Sequence, residues 1–120
     1  MLQPKIYVKD KNKVYDTQVI DYKNKIVIFF DNETQCTYTR LFDEVEFMEN
    51  TGAKDKNGNY VYSGDIVKDN DDVYTIKRSE VYKIFSIGNR KGYLFLDESR
   101  CREIEVIGNI YENKELLEKC

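Results

Sequence analysis

Three groups of side chains in this chain have types and spacings that could do chemistry. The first is Asp55, Asn57 and Asn59, oxygen donors at alternate positions like the opening ligands of a calcium loop. Such a loop needs glycine at its sixth position and a bidentate glutamate at its twelfth. Tyr60 and Ile66 stand there instead, so these residues read as turn formers in preference to calcium ligands. The second is Asp69-Asn70-Asp71-Asp72, an acidic run that reads as a solvated loop rather than a cation site. The third is Arg78, Arg90, Lys91, Arg100 and Arg102, with Tyr74, Tyr82 and Tyr93 among them. Single-strand nucleic-acid binders combine such charges with aromatic faces on which bases stack. The competing reading makes the tyrosines amphipathic core edge and the arginines solubilising surface, and it is preferred because the chain as a whole is acidic.

The remaining chemistry is excluded by what is missing. Without a single His, histidine triads, Cys-His dyads and HExxH metal sites have no base or ligand. Three scattered Cys without His do not make a structural zinc site. Gly88 to Gly92 lacks the following Lys-Ser/Thr of a phosphate cradle. No catalytic residue, metal ligand or cofactor is assigned.

The elements that must carry these residues belong to a chain of 120 residues, the size of one domain. Ten Tyr and six Phe are enough aromatic bulk for a core, although 34% of the residues are charged. The net charge of −3 and pI of about 5.1 argue against a strongly basic nucleic-acid binder. Charge is unevenly spread: +2 over 1–42, −6 over 43–72, +3 over 73–104 and −2 over 105–120. Cys36, Cys101 and Cys120 are an odd set with no signal-peptide pattern before them, which points to a reducing cytoplasm. Cys120 is expected to be an exposed thiol. The longest apolar run, Ile26 to Phe30, is too short to span a bilayer.

Local patterning predicts mainly strand. Lys5 to Val8, Val14-Tyr15, Val19-Ile20 and Thr34 to Phe42 read as β-prone segments separated by short polar turns, an antiparallel meander. Ile26 to Phe30 is predicted as a strand with both faces covered. Asp43 to Asn50 fits either a helix opened by Asp43 and Glu46 or a half-buried strand, and the strand is preferred because so short a helix is marginal. Val73 to Lys77, Tyr93 to Leu96 and Ile104 to Tyr111 are further strands, with a loop over 88–92 and strand or helix over 79–87. Asn113 is placed to cap a short terminal helix, Lys114 to Lys119, whose Leu116 and Leu117 fold back on the core.

Thr51 to Val67, TGAKDKNGNYVYSGDIV, states its backbone demands most openly. Gly52, Gly58 and Gly64 recur every six residues with Asp55, Asn57, Asn59 and Asp65 between them, and Asn57-Gly58 is a strong hairpin signal. Gly108, followed by Asn109 within the last strand, marks a bulge or a close backbone approach. Thr51, Gly52, Asp55, Asn57, Gly58, Gly64, Asp65, Gly108 and Asn109 are therefore read as structural.

The run Phe47 to Lys68 resembles the central signature of YopX-like proteins of phages and prophages. Ile104 to Leu117 (IEVIGNIYENKELL) is similar to that family's closing signature, and Lys5 to Tyr15 resembles its opening segment more weakly. Ala53 stands where the family usually has leucine and Ser63 where it usually has an acidic residue, and the opening segment lacks the usual tryptophan. The resemblance brings no catalytic residues and no established activity.

The expectations are these. The fold is mainly β, a small antiparallel, partly open barrel-like domain with a short C-terminal helix, with α+β as the alternative. It forms one YopX-like domain over 1–120, with a meander at 1–48 and a motif-bearing module at 51–120 as its sub-modules. The function expected is that of a non-enzymatic phage accessory protein of the host cytoplasm, binding a protein partner and self-associating, with no membrane contact. Nucleic-acid binding by a small β-barrel is the first alternative. A small phosphorylated-ligand binder or carboxylate-based hydrolase is the second.

Overall fold

The structure is a computed structural model that describes residues 3–79 and 84–118. The strand-or-helix question over 80–83, the ring of Tyr82 and the thiol of Cys120 lie outside the described residues. The chain divides into two compact units, 1–49 and 50–120.

In the first unit, period-two patterning builds two small antiparallel sheets. Lys5–Val8 (β1) pairs on one side with Lys13–Asp16 (β2) and on the other with Val45–Met48 (β6). Val19–Asp21 (β3), Ile26–Asp31 (β4) and Cys36–Leu41 (β5) make the second sheet in that order. Ile6, Val8, Val27 and Phe29 are fully buried in one cluster with Tyr15 and Val45. Each such side chain contributes roughly 1.5–3 kcal/mol by leaving water. β4 differs from the strand expected with both faces covered. Its Val27 and Phe29 point into the cluster, while Ile26, Ile28 and Phe30 on the other face are only half-buried. Phe42–Glu44 forms a single 3-10 turn, closed by the Glu44 carboxylate accepting from the Leu41 N–H at 2.7 Å. The capping acid is thus Glu44 rather than Glu46, and the strand preferred for this stretch follows the turn.

Asp31 ties the β1–β2 and β4–β5 hairpin turns of this unit together. Its carboxylate accepts from the Glu33 N–H at 2.9 Å and the Tyr15 hydroxyl at 3.2 Å, and faces Lys11 Nζ at 3.5 Å. Burial works to raise the Asp31 carboxyl, but these donors and the Lys11 charge outweigh it and hold it below its ordinary 3.8. Burial and the Asp31 charge push the Tyr15 phenol above 10.0. The signs are opposite. The Asp31 contribution to stability is complete above the ordinary carboxylate value and is lost as pH falls through the depressed one. The Tyr15 contribution is complete below pH 10.0 and is lost as pH rises through the raised value. Urea midpoints measured against pH are expected to fall at both ends, with Asp31→Asn flattening the acid limb and Tyr15→Phe the alkaline one. An unchanged acid limb in Asp31→Asn would rule out this assignment.

In the second unit, Asn50–Lys54 (β7) pairs with Tyr60–Tyr62 (β8). Asp65–Asp69 (β9), Asp72–Arg78 (β10), Phe85–Asn89 (β11), Gly92–Phe95 (β12) and Glu105–Asn109 (β13) form a five-stranded antiparallel sheet. Its order is β12-β11-β10-β9-β13. Among the described residues no sheet closes into a barrel, so the architecture is mainly β and open. Most of the loop expected over 88–92 is strand: Asn89 pairs with Gly92 and only Arg90-Lys91 turn. Asn89 Oδ1 accepts from the Lys91 N–H at 2.9 Å, which lets so short a connection close.

One face of this sheet packs Val67, Ile76 and Ile87 against Val61, Cys101 and Ile104. Glu98–Cys101 (α1), absent from the sequence expectations, brings Cys101 there. The Asp97 carboxylate caps it by accepting from the Arg100 N–H at 2.8 Å. Burial, then the charges of Asp97, Asp55 and Glu98, push the Cys101 thiol up to about 11, which leaves it unreactive. Glu115–Glu118 (α2) is the short terminal helix, with Leu116 and Leu117 half-buried. No helix among the described residues is long and apolar enough to cross a membrane.

Candidate binding groove and the turn scaffold

The glycine-spaced segment is held by its own side chains. Thr51 and Gly52 form a bulge in β7. Gly52 takes φ +84° and donates to Asn50 Oδ1 at 2.7 Å, and Thr51 Oγ1 accepts from the Ala53 N–H at 3.3 Å. Asp55, 4% exposed, accepts three backbone N–H bonds. Asn57 and Asn59 donate to Oδ1, each at 2.9 Å, and Val106 of β13 donates to Oδ2 at 3.0 Å. Its oxygens face donors, which is the opposite of what a cation site requires. Asn57-Gly58 does not close a two-residue hairpin: of the pair only Gly58 takes positive φ, and residues 55–59 form a wider turn around Asp55. The Asn57 amide reaches Glu105 at 3.2 Å.

Gly64, at φ +91°, turns the chain from β8 into β9, and Asp65 accepts from the Tyr62 N–H at 2.8 Å. At Gly108 the β13–β9 register shifts, the bulge expected there. Asn109 caps the turn after it, Oδ1 accepting from the N–H groups of Tyr111 and Glu112 at 3.0 and 2.8 Å. The Asn113 side chain points back and accepts from the Asn109 N–H at 3.1 Å, which secures the bulge, while its carbonyl accepts from the Leu116 N–H at 3.0 Å where α2 begins.

The candidate anion-facing residues do not gather. Even-numbered positions of β10 face the buried cluster, so Arg78 shares a face with Tyr74 and Ile76. Arg100 and Arg102 belong to α1 and its cap on that same face, where the Arg100 charge reaches the Tyr74 phenol. Lys91 is exposed in the β11–β12 turn. Only Arg90 and Tyr93 belong to the opposite face, where a groove of about 700 Å³ runs along the sheet.

The register explains the groove. Gly108, Ile66, Thr75, Gly88 and Tyr93 stand in one cross-strand row on five neighbouring strands. Gly88 has no side chain, and the Tyr93 ring lies on the space a Cβ would fill. Lys77, two positions along β10 from Thr75, places Nζ 4.6 Å from the centre of that ring. Val73 completes this side, and Ile110 and Leu117 form the far wall. Lys77, and to a lesser degree Thr75, beside the phenol hold Tyr93 below its ordinary 10.0 against partial burial. Sequence reasoning missed Lys77 and Thr75. Period-two alternation from Val73 was the signal that could have grouped them, but nothing local says which face of β10 is open.

Among the described residues no carboxylate lines the groove, so none of them assembles the paired acids of a hydrolase in it. Among the described residues, no three of His, Cys, Asp and Glu are placed to hold a metal ion.

A family model described as YopX protein matches residues 3–118. No curated protein matches the sequence significantly. Among solved structures, the chain is similar to the crystal structure of protein EF1440 from Enterococcus faecalis. The TM-score is 0.58 and the identity 21% over 96% of each chain, a likeness of fold alone.

Proposed function

The chain belongs to the YopX family, and from that premise we propose that it is a phage- or prophage-encoded accessory protein that binds a protein partner in the bacterial cytoplasm without catalysing a reaction. One observation carries the reading. β12 is an edge of the five-stranded sheet, and Tyr93, Leu94 and Phe95 on it are 45%, 62% and 72% exposed. Natural edge strands are usually blunted by charge, proline or a bulge. Gly-Tyr-Leu-Phe carries neither charge nor proline, and its pairing with β11 is regular. An exposed apolar edge of this kind supports strand addition, in which main-chain hydrogen bonds give affinity and alternate side chains give specificity. The same edge can pair with its copy about a two-fold axis, which is the route to self-association.

The test combines affinity capture from lysogenic cells with light scattering under reductant, for wild type, Leu94→Lys and Phe95→Lys. Wild type is expected to hold a stoichiometric partner, or a second copy, that both variants lose. A wild-type chain that stays monomeric and recovers no stoichiometric protein would end this reading. A partner held equally by both variants would move docking away from β12.

A further inference from the structure

We propose that the groove on the outer face of β10, β11 and β12 binds a small monoanion with an apolar body, of the class of an aromatic carboxylic acid. The proposal is independent of the strand-edge reading. The volume of about 700 Å³ falls within the 300–1,000 Å³ range of small-molecule sites. Its walls suit a flat or branched apolar body: the Tyr93 ring and Val73 on one side, and Ile110 and Leu117 on the other. The ring is already fixed in place. It lies on Gly88 with Lys77 Nζ 4.6 Å from its centre, contacts that limit its freedom before binding.

Charge complementarity selects the head group. Lys77 and Arg90 line the groove, and among the described residues no acidic side chain does. Neither cation has an ion-pair partner among the described residues. A cation lining an apolar groove matches a carboxylate head group, whose charge-assisted hydrogen bonds are about twice as strong as neutral ones. Inorganic phosphate would leave the apolar walls unused.

The experiment titrates the whole chain with 2-naphthoate, with its neutral isostere 2-naphthamide, and with inorganic phosphate, following the amide resonances of Gly88 and Gly92. 2-Naphthoate is expected to bind about tenfold more tightly than the amide and to resist displacement by phosphate. Lys77→Met with Arg90→Gln should bring naphthoate and amide to parity. Leu117→Trp, which fills the groove from the far wall, should weaken both. Binding of neither probe, equal affinities in wild type, or selectivity surviving in the Lys77→Met/Arg90→Gln double variant would overturn the proposal. Displacement of naphthoate by phosphate would also do so, by showing a plain anion site. Amide spectra of each variant that otherwise superpose on wild type separate lost binding from lost folding.

Discussion

Asp55→Ala is expected to destabilise the 50–120 unit by about 3 kcal/mol, since three backbone N–H groups lose their acceptor at once and each such loss costs about 1–3 kcal/mol when water cannot replace it. The side chain is 4% exposed, so replacement by water is poor. Two of the donors, Asn57 and Asn59, belong to the turn itself, and the third, Val106, lies in β13. The substitution therefore loosens the turn and releases its hold on the sheet together. Asp55→Asn keeps one oxygen but aims an amide N–H at either the turn or Val106, so it should recover only part of the loss. Urea denaturation gives the magnitude, and hydrogen exchange gives the cause: protection at Asn57, Asn59 and Val106 should drop most. Wild-type stability in Asp55→Ala would show that the turn is held by Gly58 and by the Lys56 N–H bond to the Ile104 carbonyl instead.

Gly88→Ala is the second large effect, with an expected cost of about 2 kcal/mol from overpacking. No unusual backbone conformation is involved at this glycine; the constraint is space. A Cβ there would fall inside contact distance of the Tyr93 ring carbons and of the Gly92 carbonyl oxygen. The ring can swing away, but the carbonyl belongs to the strand paired with β11, so the hairpin must open slightly. Once the ring leaves Thr75 and Lys77, its phenol should titrate at an ordinary tyrosine value. A spectrophotometric titration should therefore lose its earliest component in Gly88→Ala, as it should in Tyr93→Phe. A stable Gly88→Ala protein that kept that component would mean the ring does not rest on Gly88.

Legibility differed by kind of residue. Asp55, Gly64 and Gly108 announce themselves because positive φ, side-chain-to-backbone bonds and bulges are local needs met by few residue types. Lys25 and Gln35 also take positive φ, at +56° and +58°, each ending a hairpin turn in the first unit. No residue preference advertises that, since the neighbouring strand pairs impose it. α1 was missed although Asp97 is a good cap, because one helical turn has almost no periodicity to detect.

By itself, the sequence determined the strand-rich class, the turn-forming role of Gly52, Asp55, Gly58 and Gly64, the irregularity at Gly108 and the family. All of these follow from backbone demands written within a few consecutive residues. Only the tertiary structure decided the site. The sheet order put Gly88 beside Thr75 and Tyr93, opened the groove on one face, and sent Arg78, Arg100 and Arg102 to the other. Alternation tells which residues share a face of a strand, but which face is covered depends on what packs there from elsewhere in the chain, as Cys101 and Ile104 do here.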